Sequence, residues 1–318
     1  LEDRPPPVNQ RVTVVFNPVS GARDADADFE QIQETLAPFV DLDIVSTRPD
    51  ESAEVLAHRA VRSGADRVVA AGGDGTVNQI ARALVGSEAA LGIIPRGTAN
   101  ALAFYLYGPM VYTEPVAVGC HHILSGRTKS IDDATCGEHT MLLLAGIGME
   151  RGMVELADRE MKNRWGALAY LIGGWQQLDK QEPFDVELEV DGETYELTTG
   201  SLTVANSAPP TSVLAQGSGR PTIDDGLLDV TAIVDVETRR EALQMLIRLL
   251  GGGSSDEIDD GKIRHFRGAR IAIRARPEQV LVLDGEIVGS TPVELTARLG
   301  APNVAMAGTR DLESVPAD

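Results

Sequence analysis

The chain is poor in cysteine, in lysine and in long apolar runs, and each shortage excludes a class of chemistry. Its two cysteines, Cys120 and Cys136, match no metal-ligand spacing. Free thiols in a reducing compartment are expected, and neither a disulfide scaffold nor a cysteine-built zinc site is. Of 28 basic residues only Lys129, Lys162, Lys180 and Lys262 are lysines, against 48 acidic residues, for a formal charge of −20. Such a surface repels phosphate backbones, which argues against nucleic acid, and any contact with an anionic bilayer must come from a local patch or from cation bridging. No apolar run approaches the roughly 18 residues that cross a bilayer. The proline-rich start, Leu1 to Pro7, lacks the basic and apolar segments of a signal peptide and reads as a linker. What remains is a globular chain of 318 residues, long enough for about two domains.

Periodicity divides it. Over residues 11–130 short apolar runs at 12–16, 42–46, 68–71 and 91–94 alternate with helical patterns at 29–39, 52–63, 77–85 and 100–107, which predicts a Rossmann-like α/β domain with a parallel sheet. Residues 131–302 carry strand-like segments at 140–144, 185–190, 195–199, 202–205, 228–234, 269–275 and 279–283, with turn signals at Asp191-Gly192, Asp225-Gly226 and Asp284-Gly285. A mainly antiparallel β-sandwich follows, interrupted by helical stretches at 151–178 and 238–250. The segment from about 303 to 318 is expected to return to the first domain.

The densest signal is Gly72-Gly73-Asp74-Gly75-Thr76, after one predicted strand and before a helix. Glycines let backbone approach a ligand, and the helix directs unpaired N–H groups at it, so a phosphate would fit. Asp74 would repel that anion unless a divalent cation bridged them, which suggests a magnesium nucleotide. A tight strand-to-helix turn with Asp74 or Thr76 as its cap is the plain alternative. Asn17-Pro18-Val19-Ser20-Gly21 and Pro95-Arg96-Gly97-Thr98-Ala99-Asn100 also follow predicted strands. In open α/β sheets such loops converge at the strands' carboxyl ends.

These loops, with Val77-Asn78, Asp224-Asp225-Gly226-Leu227-Leu228-Asp229 and Asp284-Gly285-Glu286 in this order, resemble the diacylglycerol kinase catalytic family, most of all the two-domain bacterial soluble lipid kinases. The likeness runs over roughly residues 11–310. It implies that Asn17, Pro18, Ser20 and Gly21, then Thr47, then Gly72, Gly73, Asp74, Gly75, Thr76 and Asn78, and finally Thr98 line an ATP site between the domains. It implies that Glu286 is the base on the lipid hydroxyl, with Asp284 beside it and Asp74 serving catalysis through Mg²⁺. It also implies a structural Mg²⁺ at Thr222, Asp225 and Leu227; on the residues alone, Asp225-Gly226 reads equally well as a hairpin turn, and Asp284-Gly285-Glu286 reads better as a hairpin turn with a solvated glutamate, an order that the other motifs reverse.

The chain departs from the family at Asn100-Ala101, where an Asn-Asp pair is frequent, and at Met149-Glu150, where Phe-Asp is frequent. Relatives acting on sphingoid bases or ceramide carry a similar Asn-Ala, so the lipid stays open between diacylglycerol and a sphingoid type. Phe104, Tyr105, Tyr107 and Tyr112 are suited either to a wet apolar boundary or to a buried helix end. The segment 164–175, holding Trp165 and Trp175, reads as a second lipid-contact candidate or as a core helix. The expectation is an ATP- and Mg²⁺-dependent lipid kinase, cytoplasmic and peripheral at the inner membrane face, with a homodimer open to it. An impaired lipid- or nucleotide-binding module and a NAD kinase are the rivals.

Overall fold

The computed structural model describes residues 10–148, 183–207, 222–234, 263–300 and 302–306. The helical stretches expected at 151–178 and 238–250, the Trp165–Trp175 segment, Met149 and Glu150 lie outside the described residues. The chain divides into two units, Leu1–Ile131 with Gly300–Asp318, and Asp132–Leu299.

In the first unit, β1 (Arg11–Phe16), β2 (Asp41–Ser46), β3 (Arg67–Gly72) and β4 (Ala90–Pro95) alternate with α1 (Ala25–Leu36), α2 (Ala53–Arg62) and α3 (Asp74–Leu84). α4 (Ala101–Tyr107), a 3₁₀ turn Pro109–Tyr112, α5 (Pro115–Leu124) and β5 (Thr128–Ser130) complete the run. The sheet order is β2-β1-β3-β4, then a strand from the far end of the chain, Asn303–Ala305, then β5. All neighbours are parallel except β5, which runs antiparallel to Asn303–Ala305. Helices cover both faces, so β3 and β4 are buried at every position and read as unbroken apolar runs. On one face Val12, Val14, Phe16, Val69 and Ala71 pack with Ile32 and Leu36 of α1 and Val116, Cys120 and Ile123 of α5. Each such fully buried aliphatic side chain contributes about 1.5–3 kcal/mol.

The four strands stand where the sequence places them. α1 begins earlier than its apolar pattern, because Asp24 caps it through Asp26 and Ala27 N–H groups. α5 was hidden: Pro-Val-Ala-Val-Gly-Cys shows no polar face from which a helical period could be read.

The second unit contains two six-stranded antiparallel sheets. β6 (Asp133–Cys136), β7 (His139–Met141), β9 (Phe184–Val190), β10 (Glu193–Thr199), β14 (Arg270–Arg276) and β17 (Val293–Arg298) form one. β8 (Leu144–Ile147), β11 (Ser201–Ala205), β12 (Leu228–Ile233), β13 (Ile263–Gly268), β15 (Val280–Leu283) and β16 (Glu286–Ser290) form the other. Alternation assigns the faces: Phe184, Val186, Leu188 and Val190 of β9 are buried, and they share one core with Leu202, Val230, Leu281 and Leu283 of the opposite sheet. This is the expected sandwich.

One predicted strand, 140–144, is broken. Its centre, Leu142–Leu143, bends between β7 and β8, because the N–H groups of Leu142, Leu143 and Leu144 turn to the Asp284 carboxylate at 2.8–2.9 Å. The ladder loses to a charged acceptor.

Candidate active site

At the carboxyl ends of β1, β3 and β4 three loops are tied into one body. Asn17 donates its backbone N–H to Ala71 O at 2.9 Å and its side-chain amide to Thr76 Oγ1 at 3.0 Å. Ser20 Oγ accepts the Gly73 N–H at 3.2 Å. Gly73 lies against Gly97: a Cβ on Gly97 would stand 2.6 Å from the Gly73 Cα, so only glycines let these loops touch. Asn100, left-handed at φ 48°, closes the third loop by accepting the Gly97 N–H at 2.8 Å and donating to the Gly97 carbonyl at 2.9 Å. Gly73 caps α3 without a side-chain hydrogen bond, which leaves that helix N-terminus open to an anion.

Asp74, at the first position of α3, is partly buried. Its Oδ1 accepts the Ala101 N–H at 2.7 Å, so it caps α4 from outside that helix. Burial pushes its carboxyl above the usual range, and hydrogen bonds from Ala101, Leu102 and Asn100 pull the other way. Among the described residues no three His, Cys, Asp or Glu side chains form a metal-binding group. The loops therefore offer phosphate donors and a single carboxylate, without a protein cage for a cation.

Of the other expected residues, Thr76 and Asn78 are buried in α3, while Pro18 and Gly21 are exposed in the first loop. Thr47 follows β2, half-buried, and donates its N–H to Phe16 O at 2.9 Å; Thr98 is half-buried in the third loop.

Sequence reasoning missed the residue that joins the loops. Arg96 is buried, donates Nε to Asp28 Oδ2 at 2.9 Å and Nη1 to Asn17 O at 2.6 Å, and lies 4.3 Å over the Phe16 ring centroid. Asp28, also buried, takes Arg23 as a second partner at 3.0 Å. The one signal in the sequence was a charged residue ending an otherwise apolar strand.

The aromatic segment divides between the two readings given to it. Tyr107 is buried and donates to Ala305 O at 2.9 Å, which makes it core. Tyr112 is 44% exposed, its hydroxyl fixed on Ala99 O at 2.8 Å and its ring 5.5 Å from Phe104.

In the second unit, Asp284 and Gly285 have φ 48° and 90° and join β15 to β16 in a two-residue turn with Leu283 opposite Glu286. Both Asp284 oxygens receive the 142–144 N–H groups, so its carboxylate holds that bend against the hairpin. Glu286, the first residue of β16, is exposed. Asp225-Gly226 is not a hairpin between paired strands. It belongs to a loop before β12 in which Asp225 Oδ1 accepts the Leu227 N–H at 3.0 Å and Oδ2 is paired with Arg267. Thr222 is exposed at the start of that loop.

Glycine-rich loops on a parallel sheet, combined in one chain with an antiparallel sandwich carrying an exposed glutamate at a tight turn, define a two-domain α/β plus β architecture. The diacylglycerol kinase catalytic domain matches residues 11–136, and the YegS C-terminal NAD kinase beta sandwich-like domain matches residues 145–306. An uncharacterized protein of Synechocystis sp. is 40% identical over 89% of this chain and 67% of its own length. A diacylglycerol kinase of Bacillus subtilis is 26% identical over 90% of this chain and 92% of its own. The fold is also that of a diacylglycerol kinase from Bacillus anthracis, with TM-score 0.72 and 22% identity over 93% of this chain and 97% of that one. The chain belongs to the diacylglycerol kinase catalytic-domain family, in the form that carries the YegS-type sandwich, and is a lipid kinase by class.

Proposed function

We propose that the protein transfers the γ-phosphoryl group of ATP to a hydroxyl of a diacylglycerol-like lipid presented at a membrane surface. The observation that carries this is the open N-terminus of α3, framed by the three interlocked loops. Phosphoryl transfer asks mainly for positioning and charge stabilisation, and backbone N–H groups at a helix start supply both to phosphate oxygens. Ser20, Asn17 and Thr76 hold the first loop on the second, which keeps those N–H groups aimed before ATP arrives.

Asp74, the one carboxylate of these loops, would help to hold a Mg²⁺ brought by the nucleotide, and the ion would supply neutralisation of phosphate charge. Glu286 takes the proton of the lipid hydroxyl as that oxygen bonds to the γ-phosphorus and the bond to the bridging oxygen of ADP breaks. Asp284 acts through position, since its carboxylate anchors the hairpin that presents Glu286. The γ-phosphoryl group passes directly from ADP to the lipid oxygen, so no covalent enzyme intermediate is needed.

The test is labelled Mg-ATP with diacylglycerol, sphingoid-base, ceramide and NAD arms in parallel, the product identified by mass spectrometry. Label in diacylglycerol supports the reading; label in the sphingoid arms alone, or in NAD alone, replaces the acceptor, and nucleotide binding with no labelled product removes the activity. Glu286→Gln should lower kcat by about 10²–10⁴, the usual worth of a general base, with ATP affinity measured by calorimetry unchanged. Near-normal turnover would remove Glu286 from that role.

A further inference from the structure

The loop before β12 is where the family resemblance places a structural Mg²⁺, with Asp225 as side-chain ligand. The carboxylate found there is already engaged by protein groups. Asp225 spends Oδ1 on the Leu227 N–H at 3.0 Å and Oδ2 on the Arg267 guanidinium. It is the Leu227 N–H that meets the carboxylate.

Arg267 reaches this place by register. It lies on β13 directly opposite Asp229 of β12, and its Nε is 3.6 Å from Asp229 Oδ1 while its Nη2 holds Asp225. One guanidinium thus bridges two carboxylates, one in the loop and one at the start of the strand. His265, two residues earlier on the same strand, adds Nε2 at 3.2 Å from the same Asp229 oxygen. The remaining backbone of the loop is fastened by Asp132: its Oδ2 accepts the Gly226 N–H at 2.6 Å, and its own N–H donates to Ile223 O at 2.6 Å. Charge compensation for Asp225 and Asp229 and a tie from the loop to the sheet are thus supplied by protein groups.

We propose that Arg267 is a built-in replacement for the divalent cation, so that the Asp225 loop of this chain is ordered without a metal. Arginine suits the role because its charge is permanent and its planar fork serves two acceptors at once. A metal ion approaching Asp225 would first have to displace it. Removing the guanidinium uncovers Asp225 and Asp229 together, and two carboxylates beside backbone carbonyls are what a hard divalent ion takes. The inference rests on the lipid-kinase reading only for the expectation that a cation belongs here.

The experiment is a titration of the nucleotide-free full chain with Mn²⁺, a Mg²⁺ stand-in, with free ion read by electron paramagnetic resonance. Because neither ATP nor lipid is present, its outcome does not depend on kinase activity. Wild type is expected to show no site at millimolar Mn²⁺ that Asp225→Asn removes. Arg267→Gln is expected to gain one Mn²⁺ per chain, lost again when Asp225→Asn is added. A wild-type site abolished by Asp225→Asn overturns the proposal, and so does a folded Arg267→Gln chain without an Asp225-dependent site. Should Arg267→Gln fail to fold, the wild-type titration decides alone.

Discussion

Replacing Asp74 by asparagine or by alanine separates the two jobs that fall on one carboxylate. Asparagine keeps an acceptor for the Ala101 N–H and discards the charge, whereas alanine discards both. Asp74→Ala should lose about 1 kcal/mol of stability, as helix caps do, and Asp74→Asn should melt close to wild type. If the charge works on the magnesium nucleotide, both lose turnover; an Asp74→Asn chain with full activity would reduce Asp74 to a cap. Asp284 makes a similar pair of claims testable on the other unit. Its removal strands three backbone N–H groups at a buried bend, so Asp284→Ala should cost on the order of 3 kcal/mol in urea unfolding. These roles were beyond the sequence, because a carboxylate's partners are set by contacts 27 residues away for Asp74 and 140 or more for Asp284. The same holds for Arg96 with Asp28, 68 residues apart, and for Arg267 with Asp225, 42 apart.

Between loops and helices, some glycines are held by close contacts and others, Gly75 among them, have space to spare. A Cβ on Gly97 would press on Gly73 and force the second and third loops apart, so Gly97→Ala should lower both Tm and ATP affinity. Nothing lies within 4 Å of a Cβ on Gly75, in the first turn of α3. Gly75→Ala should therefore raise stability by roughly 0.5–1 kcal/mol, the helix gain over glycine, while weakening ATP if phosphates pass over that turn. Opposite signs in calorimetry and in thermal melts are the signature; unchanged ATP affinity would move the phosphates elsewhere. Elements were legible wherever one period ruled. β3 and β4 announce themselves as apolar runs because helices bury both faces, and β9 alternates because one face is wet. α5 and the break at Leu142–Leu143 were not, the first for want of a polar face and the second because a distant carboxylate overrides the strand pattern.

For the molecule as a whole, acid should act through a buried histidine before it reaches most carboxylates. His122 is fully buried, stacked on Tyr107 with ring centroids 3.9 Å apart, and burial lowers its pKa to about 4, with His121 adding to the effect. The unfolded chain would bind that proton from about pH 6.5 downwards and the folded chain only near 4. Stability is thus full above pH 6.5 and falls through that window, by on the order of 2–3 kcal/mol. Urea midpoints should drop between pH 6.5 and 5 in wild type, and the slope should vanish in His122→Phe; a flat wild-type profile would show His122 already protonated or reached by water. The domain-scale fold was readable from the switch between helical and twofold periods, and the ordered loops made the kinase class readable with it. The return of the segment after 303 was expected, and what the periods hid is its place inside the first sheet. The strand Asn303–Ala305 lies between β4 and β5, so the first unit lacks an interior strand until the entire sandwich has left the ribosome. At roughly 5–20 residues per second that wait lasts about ten to thirty seconds. During it the inner edge of β4 stands open, and the order of synthesis makes completion of the sandwich's coding stretch a precondition for a finished first sheet.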